Sequence, residues 1–445
     1  MSIRYASGMT GRGSPRVALA LNTARFYSTK LVRNLGATAA VADNTPAISK
    51  IGGKASWQKQ DLLDAKWWGY ELDSECLAEL DNAVQSSKSA NLEWDNDIPL
   101  NVSQGNFPLS KMADTIAEMS DELENGMGAA MIANIPVDKY SLEELSVMYL
   151  GICSYIGNVV QQSSAGLRSK SRGYGMPLGH VKAEMRGKTP LDGKQSNNYF
   201  RLHTDRCDMI SLLSVRTASQ GGHGRVASAV AIHDAMVERA PDLVPLLYNP
   251  IERIWEGGEG VIALPIWAFE ETTGKFTTQI SPSYIENAQF VNGVRKLTAD
   301  EIEAIDLIEE IGLEIGHNFL QAPGQLTFLN NHLVYHGRTA WKFDEADDAS
   351  SRDNVDNGRL LLRAWVSPYN SRPLPDTPEF NEMWGDVRPG VPRGGLEPAV
   401  KAGIKAKPPE LIEAYTSGKA DYYGLYKRSW SQDEDVTFGA APKAA

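Results

Sequence analysis

The stretch Arg359-Leu360-Leu361-Leu362-Arg363-Ala364-Trp365-Val366 is a nearly continuous apolar run that only two arginines interrupt. Comparable short runs, separated by Gly, Pro and Asn, lie upstream at residues 209–215, 226–232, 260–267 and 325–329. Short apolar runs bounded by turn residues are typical of the strands of a β-sandwich or barrel. We therefore expect a mainly β core over residues 199–367.

Helical patterns flank and interrupt this core. Apolar residues recur at helical spacing in residues 74–87, 110–123, 235–248 and 298–311. The first two segments open with a serine that we expect to act as the N-cap. The capping-box pattern Ser141-Leu142-Glu143-Glu144 opens another helix, which we expect to run to about Tyr155. The sequence thus predicts the α+β class, with a mainly β core and flanking helices.

The composition is that of a globular protein. Of the 445 residues, 42% are hydrophobic and 22% are charged, which argues against a mostly disordered, collagenous or fibrous chain. The net charge of -12 argues against a non-specific nucleic-acid binder, because phosphate backbones are held by surplus Lys and Arg. The 3 Cys share no metal-type spacing, so we expect neither a disulfide scaffold nor a Cys zinc finger, and we expect a reducing compartment.

The first 42 residues differ in charge from the rest of the chain, because they carry six Lys and Arg and no Asp or Glu. Arg-rich, Ser-containing, acid-free N-termini resemble mitochondrial transit peptides, and Arg25-Phe26-Tyr27-Ser28 resembles a cleavage site of the matrix processing peptidase. We predict a mitochondrial matrix location, with a disordered basic tail on a cytoplasmic protein as the alternative. The apolar stretch Val17 to Leu21 is far too short for a membrane span, so no membrane partner is expected.

The chain divides by composition into a basic N-terminal extension (1–50), one domain (51–370) and a C-terminal extension (371–445). The C-terminal extension is rich in Pro and Gly, and we expect it to wrap the surface without forming a core. Within the domain, residues 342–358 contain six acidic residues among Ser, Ala and Asn. We expect a solvated loop insertion there, since the spacing of the carboxylates does not fit a calcium loop of the EF-hand type.

Two separated segments carry residue types that can bind one metal ion. In His203-Thr204-Asp205, strand periodicity puts the imidazole and the carboxylate on the same face. With 7 His and 56 acidic residues, about one such motif is expected by chance, so it means little alone. A second histidine, His336, lies 131 residues after Asp205, on or just after another predicted strand. Two neutral imidazoles and one carboxylate form the facial triad of non-haem Fe(II) oxygenases.

An arginine pair follows the second histidine. Arg359 and Arg363 are four residues apart in the apolar run quoted above, so both lie on one face of the predicted strand. A guanidinium that faces inward from so apolar a run needs an anion. The pair therefore predicts an anion-binding position near the predicted metal site.

At these residues the sequence resembles the taurine dioxygenase-like (TauD/TfdA) family of Fe(II)/2-oxoglutarate-dependent oxygenases. The resemblance covers about residues 125–370 and rests on Gly126-Met127-Gly128, the His-Thr-Asp segment, Gly221-Gly222, and Asn331 five places before His336. Residues 203–208, 228–233 and 328–332 resemble a narrower microbial and fungal branch, whose substrates are mostly unassigned.

The resemblance implies a double-stranded β-helix, that is, a jelly-roll or cupin-like fold, and a ligand set. By position, His203, Asp205 and His336 would ligate Fe(II). Arg359 would bind the distal carboxylate of the co-substrate 2-oxoglutarate, with Arg363 as the alternative. The interval of 23 residues from His336 to Arg359 is longer than is usual in the family, and the acidic insertion accounts for the excess.

One position departs from the family pattern. A Thr or Ser usually follows the Gly-Gly element and binds the same carboxylate, whereas this chain continues from Gly222 with His223-Gly224-Arg225-Val226-Ala227-Ser228. We take Ser228 as the substitute, with Arg225 as an alternative. His233 and His332 are expected to be packing or hydrogen-bonding residues, because the triad is complete without them.

The resemblance also implies the reaction. With Fe(II), 2-oxoglutarate and O₂, the enzyme would release succinate and CO₂ while oxidising an unactivated C–H bond of a small molecule. The presence of Asp205 favours hydroxylation, desaturation or cyclisation over halogenation, because related halogenases lack this carboxylate. The expected partner is a small molecule, with amino acid- or amine-derived compounds as candidates, and a homo-oligomer is left open.

Two other functions remain. A zinc-dependent hydrolase could use the same three ligands, since zinc also accepts His and Asp. A non-catalytic binding protein could retain the same fold. The arginine pair separates the first alternative from the oxygenase, because a zinc hydrolase has no standing need for buried Arg beside its metal.

Overall fold

The computed structural model describes residues 48–65, 68–95, 97–162, 175–182, 199–218, 220–255, 260–342, 359–403 and 408–417. The basic head and nearly all of the acidic insertion lie outside these residues, so the targeting and loop assignments stay predictions. Within the described ranges, no helix combines the length and apolar character needed to cross a bilayer.

The protein has mixed α/β content with many strands. The helices are α1 (Lys59–Asp64), α2 (Ser74–Lys88), α3 (Lys111–Asn125), α4 (Leu142–Ile156), α5 (Ala229–Arg239), α6 (Pro282–Ala288), α7 (Ala299–Ile315), α8 (Pro378–Trp384), α9 (Glu397–Ala402) and α10 (Pro409–Thr416). The strands are β1 (Gly69–Tyr70), β2 (Trp94–Asp95), β3 (Ile98–Pro99), β4 (Ala129–Ile132), β5 (Gly157–Val160), β6 (Leu178–Val181), β7 (Phe200–His203), β8 (Met209–Arg216), β9 (Gln220–Gly221), β10 (Gly224–Ser228), β11 (Ile251–Trp255), β12 (Gly260–Leu264), β13 (Trp267–Phe269), β14 (Phe276–Thr278), β15 (His317–Phe319), β16 (Leu326–Asn330), β17 (Val334–Arg338), β18 (Trp341–Lys342) and β19 (Leu360–Pro368).

A seven-stranded sheet and a four-stranded sheet form the β core. The large sheet has the order β1-β4-β16-β8-β19-β5, with β6 also pairing with β19. The apolar run that decided the class is its long strand β19, which pairs with β8 so that Leu362 lies opposite Leu213. The small sheet has the order β15-β10-β17-β7. The expected β core is therefore present, and helices α5, α6 and α7 interrupt it along the chain.

Two hydrophobic cores lie on the two faces of the large sheet. On β4, Ala129 and Met131 belong to a core that also contains Leu202 of the small sheet. The alternate residues Ala130 and Ile132 belong to the core that includes side chains of α2, α3 and α4. This alternation follows from the two-residue period of a strand, and it places the large sheet between a helical layer and the small sheet.

The helix α4 begins as its sequence predicts, and α3 does not. Ser141 accepts a hydrogen bond from the N–H of Glu144 and completes the predicted capping box. Ser110 occupies the N-cap of α3 but makes no side-chain cap; instead Glu79 of α2 accepts the N–H groups of Ser110 and Met112 at 2.6 and 2.8 Å. A carboxylate from a neighbouring helix satisfies these donors, which local sequence could not predict. The start of α2 also differs from the prediction: its N-cap is Asp73, one residue before the expected serine.

The run 226–232 is not one strand. β10 ends at Ser228, whose hydroxyl accepts the N–H of Ala231 and caps α5. The expected helix over 235–248 accordingly begins at Ala229, ends at Arg239 and is followed by a separate 3-10 turn, Val244–Tyr248. An apolar run of this length fits a strand or a buried helix equally well, and the capping serine decides between them.

The expectation that residues after 371 form no core is wrong. Phe380, Met383 and Trp384 of α8 are buried against Ile262 and Leu264 of β12 in a separate hydrophobic cluster. The high Pro and Gly content of this region indicated loops, and it outweighed the signal of the short helix α8, which buries three large apolar residues. Residues 371–403, here called the C-terminal segment, are therefore packed onto the domain.

Candidate metal centre

His203, Asp205 and His336 converge at the small sheet. His203 is the last residue of β7 and lies directly opposite His336 of β17 in the strand register, with the ring centroids 4.2 Å apart. Asp205 follows two residues later, and its Oδ1 is 3.8 Å from His203 Nε2. One ligand atom from each residue lies within 4.8 Å of the others. Asp205 and His336 are 131 residues apart in the sequence, and they become neighbours because β7 and β17 pair.

The surroundings of the two imidazoles suit metal ligands. His203 Nδ1 is 2.8 Å from the carbonyl oxygen of Arg201, which can only accept, so Nδ1 carries the proton and Nε2 offers a lone pair. His336 Nδ1 is buried and has no hydrogen-bond partner among the described residues. Burial and the neighbouring His203 lower the pKa of His336 to about 3. His336 is therefore neutral at physiological pH, which is the form that binds metals.

The carboxylate of Asp205 is oriented by β19. Its Oδ2 accepts from Trp365 Nε1 at 2.7 Å and from Arg363 Nη1 at 3.2 Å. Arg363 is in turn held by Gln162, whose Oε1 accepts from Arg363 Nε at 2.7 Å. These bonds occupy one oxygen of Asp205, while the other faces His203. Sequence reasoning named Arg363 but missed Trp365 and Gln162, because only the pairing of β5, β8 and β19 brings them near the loop.

Asn331 fixes the backbone of the loop that carries Asp205. Its side-chain Oδ1 accepts from the N–H of Asp205 at 3.3 Å, and its Nδ2 donates to the carbonyl of Cys207 at 2.9 Å. The backbone N–H of Asn331 also donates to the carbonyl of Asp208 at 2.9 Å. One side chain and one peptide group therefore hold residues 205–208 beside the strand that leads to His336.

Arg359 is a buried cation without a carboxylate partner in the described part of the chain. It is 5% exposed, and its one hydrogen bond there is from Nη2 to Gln321 Oε1 at 3.0 Å. Burial and the positive charge of Arg338 lower the pKa of Arg359. Two buried guanidinium groups that repel each other favour an anion between or beside them.

Gly224 leaves room for the side chain that reaches Arg359. A Cβ on Gly224 would lie 2.8 Å from the Phe319 ring and 3.1 Å from Gln321 Cδ, so any side chain here would displace them. Gly224 lies opposite Arg338 in the pairing of β10 with β17. Gln321 and Arg338 were not predicted from the sequence, because Gln321 lies in the connection between β15 and β16 and Arg338 at a register shift in β17.

Ser228 and Arg225 have other partners. The Ser228 hydroxyl donates to the carbonyl of Ala55, in addition to capping α5. Arg225 donates to Asn318 Oδ1 at 2.6 Å and to the Tyr199 hydroxyl at 3.0 Å. Their assignment to the co-substrate stays a prediction, and these contacts give both side chains a structural role.

His233 and His332 are hydrogen-bonded interior residues, as predicted. His233 Nε2 is 2.8 Å from the Tyr248 hydroxyl. His332 Nε2 is 2.8 Å from Asp208 Oδ1, and its Nδ1 is 2.6 Å from Thr277 Oγ1. Neither imidazole belongs to the cluster of His203, Asp205 and His336.

Comparison with known proteins matches residues 95–365 to the model of the family described as "Taurine catabolism dioxygenase TauD, TfdA family". One relative is FR-33289 synthase of Streptomyces rubellomurinus, 28% identical over 343 residues, which cover 75% of this chain and 95% of the relative. Another is the taurine hydroxylase-like protein SAT17 of Stachybotrys chartarum, 24% identical over 310 residues, which cover 67% of this chain and 77% of the relative.

Solved structures are also similar at low sequence identity. An asparagine oxygenase in complex with Fe(II), 2S,3S-3-hydroxyasparagine and succinate is 12% identical, with a TM-score of 0.49 over 67% of this chain and 93% of the other. The non-heme iron oxygenase OrfP in complex with Fe and alpha-ketoglutaric acid is 13% identical, with a TM-score of 0.46 over 67% of this chain and 93% of that chain.

Proposed function

Because the chain belongs to the TauD, TfdA family of dioxygenases, we propose that it is an Fe(II)/2-oxoglutarate-dependent oxygenase acting on a small molecule. The observation that carries this proposal is the convergence of His203, Asp205 and His336. A buried arginine, Arg359, without a carboxylate partner among the described residues, supports the 2-oxoglutarate part of the proposal. The family match supports the class of enzyme, and the positions of the side chains support their individual roles.

The donor types of the three side chains fit one iron ion. Two ligand atoms that each lie about 2.1 Å from an ion are at most about 4.2 Å apart. His203 Nε2 and Asp205 Oδ1 are 3.8 Å apart, and the three ligand atoms all lie within 4.8 Å of one another, so binding an ion would draw them slightly closer together. Two neutral imidazoles and one carboxylate are the donor set of non-haem Fe(II) oxygenases. We assign His203, Asp205 and His336 as the metal ligands.

The anion position fits the distal carboxylate of 2-oxoglutarate. Arg359 would form the ion pair, and Arg338 would add a second buried positive charge. Gln321 already accepts from Arg359 through Oε1, which leaves its amide N–H groups as donors. We therefore propose Gln321 in place of the family hydroxyl, in preference to Ser228 and Arg225.

The residues of this chain hold and orient the reacting groups. With iron and 2-oxoglutarate bound, the site supplies O₂-dependent oxidation of a C–H bond, in which 2-oxoglutarate, O₂ and R–H give succinate, CO₂ and R–OH. Trp365 and Arg363 keep Asp205 from turning, and the Arg201 carbonyl keeps the proton of His203 on Nδ1. The retained carboxylate favours hydroxylation, or the related desaturation or cyclisation, over halogenation.

The topology supports a double-stranded β-helix as the finer fold assignment. Six strands alternate between the two sheets along the chain: β7, β10 and β17 are in the small sheet, and β8, β16 and β19 are in the large one. A further strand of the small sheet, β15, lies between β10 and β16 in the sequence. Such alternation is how two facing sheets of a jelly roll are built.

For the substrate, the relatives support a small molecule, and amino acid- or amine-derived compounds remain our proposal.

Anaerobic titration with Fe(II) and 2-oxoglutarate tests the function through the visible charge-transfer band of the chelate. The wild type should give the band, and His203→Ala should abolish it. Arg359→Met should raise the 2-oxoglutarate concentration for half-maximal absorbance on the order of 100-fold, since unpairing a buried charge typically costs 2–5 kcal/mol. Arg225→Met, which removes the alternative that this proposal rejects, should leave that concentration unchanged.

The outcomes separate the alternatives. A wild type without a band, or a band that persists in His203→Ala, would exclude the oxygenase. Zinc binding without the band, together with hydrolysis of an ester or amide panel, would favour the zinc hydrolase. A band without succinate release on any substrate of a small-molecule panel would favour the non-catalytic binding protein.

A further inference from the structure

The carboxylate of Asp208, three residues after Asp205, is a buried junction of hydrogen bonds. It is 2% exposed, and Arg393 Nη2 donates to its Oδ1 at 2.6 Å while Arg393 Nε is 3.0 Å away. His332 Nε2 lies 2.8 Å from Oδ1, and Ser367 Oγ donates to Oδ2 at 3.1 Å. A buried carboxylate with this many donors is held in one orientation.

Arg393 joins this carboxylate to the C-terminal segment. Besides the bonds to Asp208, its Nη1 donates to the carbonyls of Val387 and Arg388, and its Nη2 donates to the carbonyl of Arg372. Every N–H of the guanidinium thus has an acceptor, and its side chain is fully buried. The Arg393 side chain therefore connects residues 372, 387 and 388 of the C-terminal segment to the loop that carries Asp205.

A second set of hydrogen bonds connects the same loop, at Arg206, to the C-terminal segment. The N–H of Gly395 donates to the carbonyl of Arg206 at 2.8 Å, and Arg206 Nη2 donates to the carbonyl of Met383 at 2.7 Å. Gly395 has a φ of 64°, and a Cβ there would lie 2.6 Å from the carbonyl oxygen of Gln161. The C-terminal segment therefore passes between the loop and the end of β5, too close for a side chain at this position.

We propose that Arg393 is a positioning residue for the metal centre, acting through Asp208 on the loop of residues 204–208. The inference rests on the proposed metal site. Without Arg393, the Asp208 carboxylate loses its ion pair inside the protein, and the loop is no longer held in one conformation on that side. Binding a metal would then have to order Asp205 as well. Loss of groups that orient metal ligands typically lowers metal affinity 10- to 100-fold.

The test is a titration with Co(II) alone, followed by its visible absorption, on the full-length apoprotein. Arg393→Met should raise the Co(II) dissociation constant roughly 10- to 100-fold and change the Co(II) spectrum. Arg372→Met is the matched control: Arg372, like Arg393, is 3% exposed, but its side chain donates to Glu124 and to the carbonyl of Phe276 rather than to the loop. It should leave affinity and spectrum unchanged. Arg393→Lys, which keeps the charge, should restore part of the affinity.

Circular dichroism at the titration temperature establishes that each variant is folded. If Arg393→Met does not fold, Arg393→Lys is compared with Arg372→Met by the same criteria. Equal effects of the Arg393 and Arg372 variants would show that the segment only stabilises the fold, and unchanged Co(II) binding in a folded Arg393 variant would likewise overturn the proposal. A wild type that binds no Co(II) would remove the proposed metal site and this inference together.

Discussion

At the scale of single residues, the two oxygens of Asp205 have different surroundings. Oδ1 faces His203, whereas Oδ2 accepts from Trp365 and Arg363. The His-x-Asp motif predicted the meeting of His203, Asp205 and His336 only in combination with the distal histidine, the arginine pair and the family resemblance. The donors to Oδ2 were not predictable, since Trp365 lies 160 residues along the chain and local sequence says nothing of its orientation.

Replacing Trp365 with Phe tests the role of its N–H. The ring can still pack, but Asp205 loses a charge-assisted hydrogen bond, and such bonds contribute about 1.5–3 kcal/mol. We expect the Co(II) dissociation constant to rise at least roughly tenfold, measured by absorption titration. Trp57→Phe is the matched control, because Trp57 is 1% exposed and donates from Nε1 to the carbonyl of Met127. An equal loss of affinity in both variants would contradict this role.

At the scale of elements, the edge strand β7 is the part of the small sheet that needs most support. It has β17 on one side, and the N–H of Leu202 donates to Glu309 of α7 at 2.9 Å. The sequence predicted a helix over residues 298–311, which carries Glu309, and the structure shows that Thr298 caps it. It did not predict that a charged residue of this helix would be buried, because 3.6-residue periodicity describes the apolar face alone.

The helix-to-helix cap made by Glu79 is a testable element contact. Burial raises the pKa of Glu79, but hydrogen bonds from the Ser110 hydroxyl and the N–H groups of residues 110–112 outweigh it, and the pKa is lowered. Glu79→Gln should destabilise the protein by about 1 kcal/mol at pH 7, the usual contribution of an N-cap. Urea unfolding measures this difference, and Glu118→Gln on the exposed side of α3 is the control.

The same contact has a pH dependence with a definite sign. Because the folded-state pKa of Glu79 is below the ordinary value of about 4.3, its stabilisation is present above that pH and is lost as pH falls through the folded-state pKa. The stability difference between wild type and Glu79→Gln should therefore shrink when unfolding is repeated in acid. A difference that grew on acidification would refute the assignment of Glu79 as an ionised cap.

At the scale of the whole molecule, the described chain begins with an anchored segment. Asp234 of α5 accepts the N–H groups of Ile51 and Gly52 at 2.6 and 2.9 Å, and the Ser56 hydroxyl at 2.8 Å. The mainly β core and its helical layer were predictable, since short apolar runs between turn residues indicate strands and longer segments with helical spacing indicate helices. The packed C-terminal segment was not, because its contacts come from few apolar residues and from buried arginines.

Shortening the chain separates the fold from the proposed targeting. A variant that begins at residue 48 should unfold at the same urea concentration as the full chain and bind Co(II) equally well, because the contacts of Asp234 are kept.

Residues 1–47 fused to a fluorescent protein should direct it to mitochondria, and changing their six Lys and Arg to Gln should abolish this. A diffuse cytoplasmic signal from the unchanged fusion would instead support the basic-tail alternative.

The number of residues from Asn331 to His336 is constrained at both ends. Asn331 holds the loop after His203 at one end, and the register of β17 against β7 places His336 opposite His203 at the other. A strand reverses its faces at every residue, so gaining or losing one amino acid here would turn the imidazole away from its partners. Additional residues before Arg359, by contrast, leave the pairing of β7 with β17 unchanged, because both strands are complete before that point in the sequence.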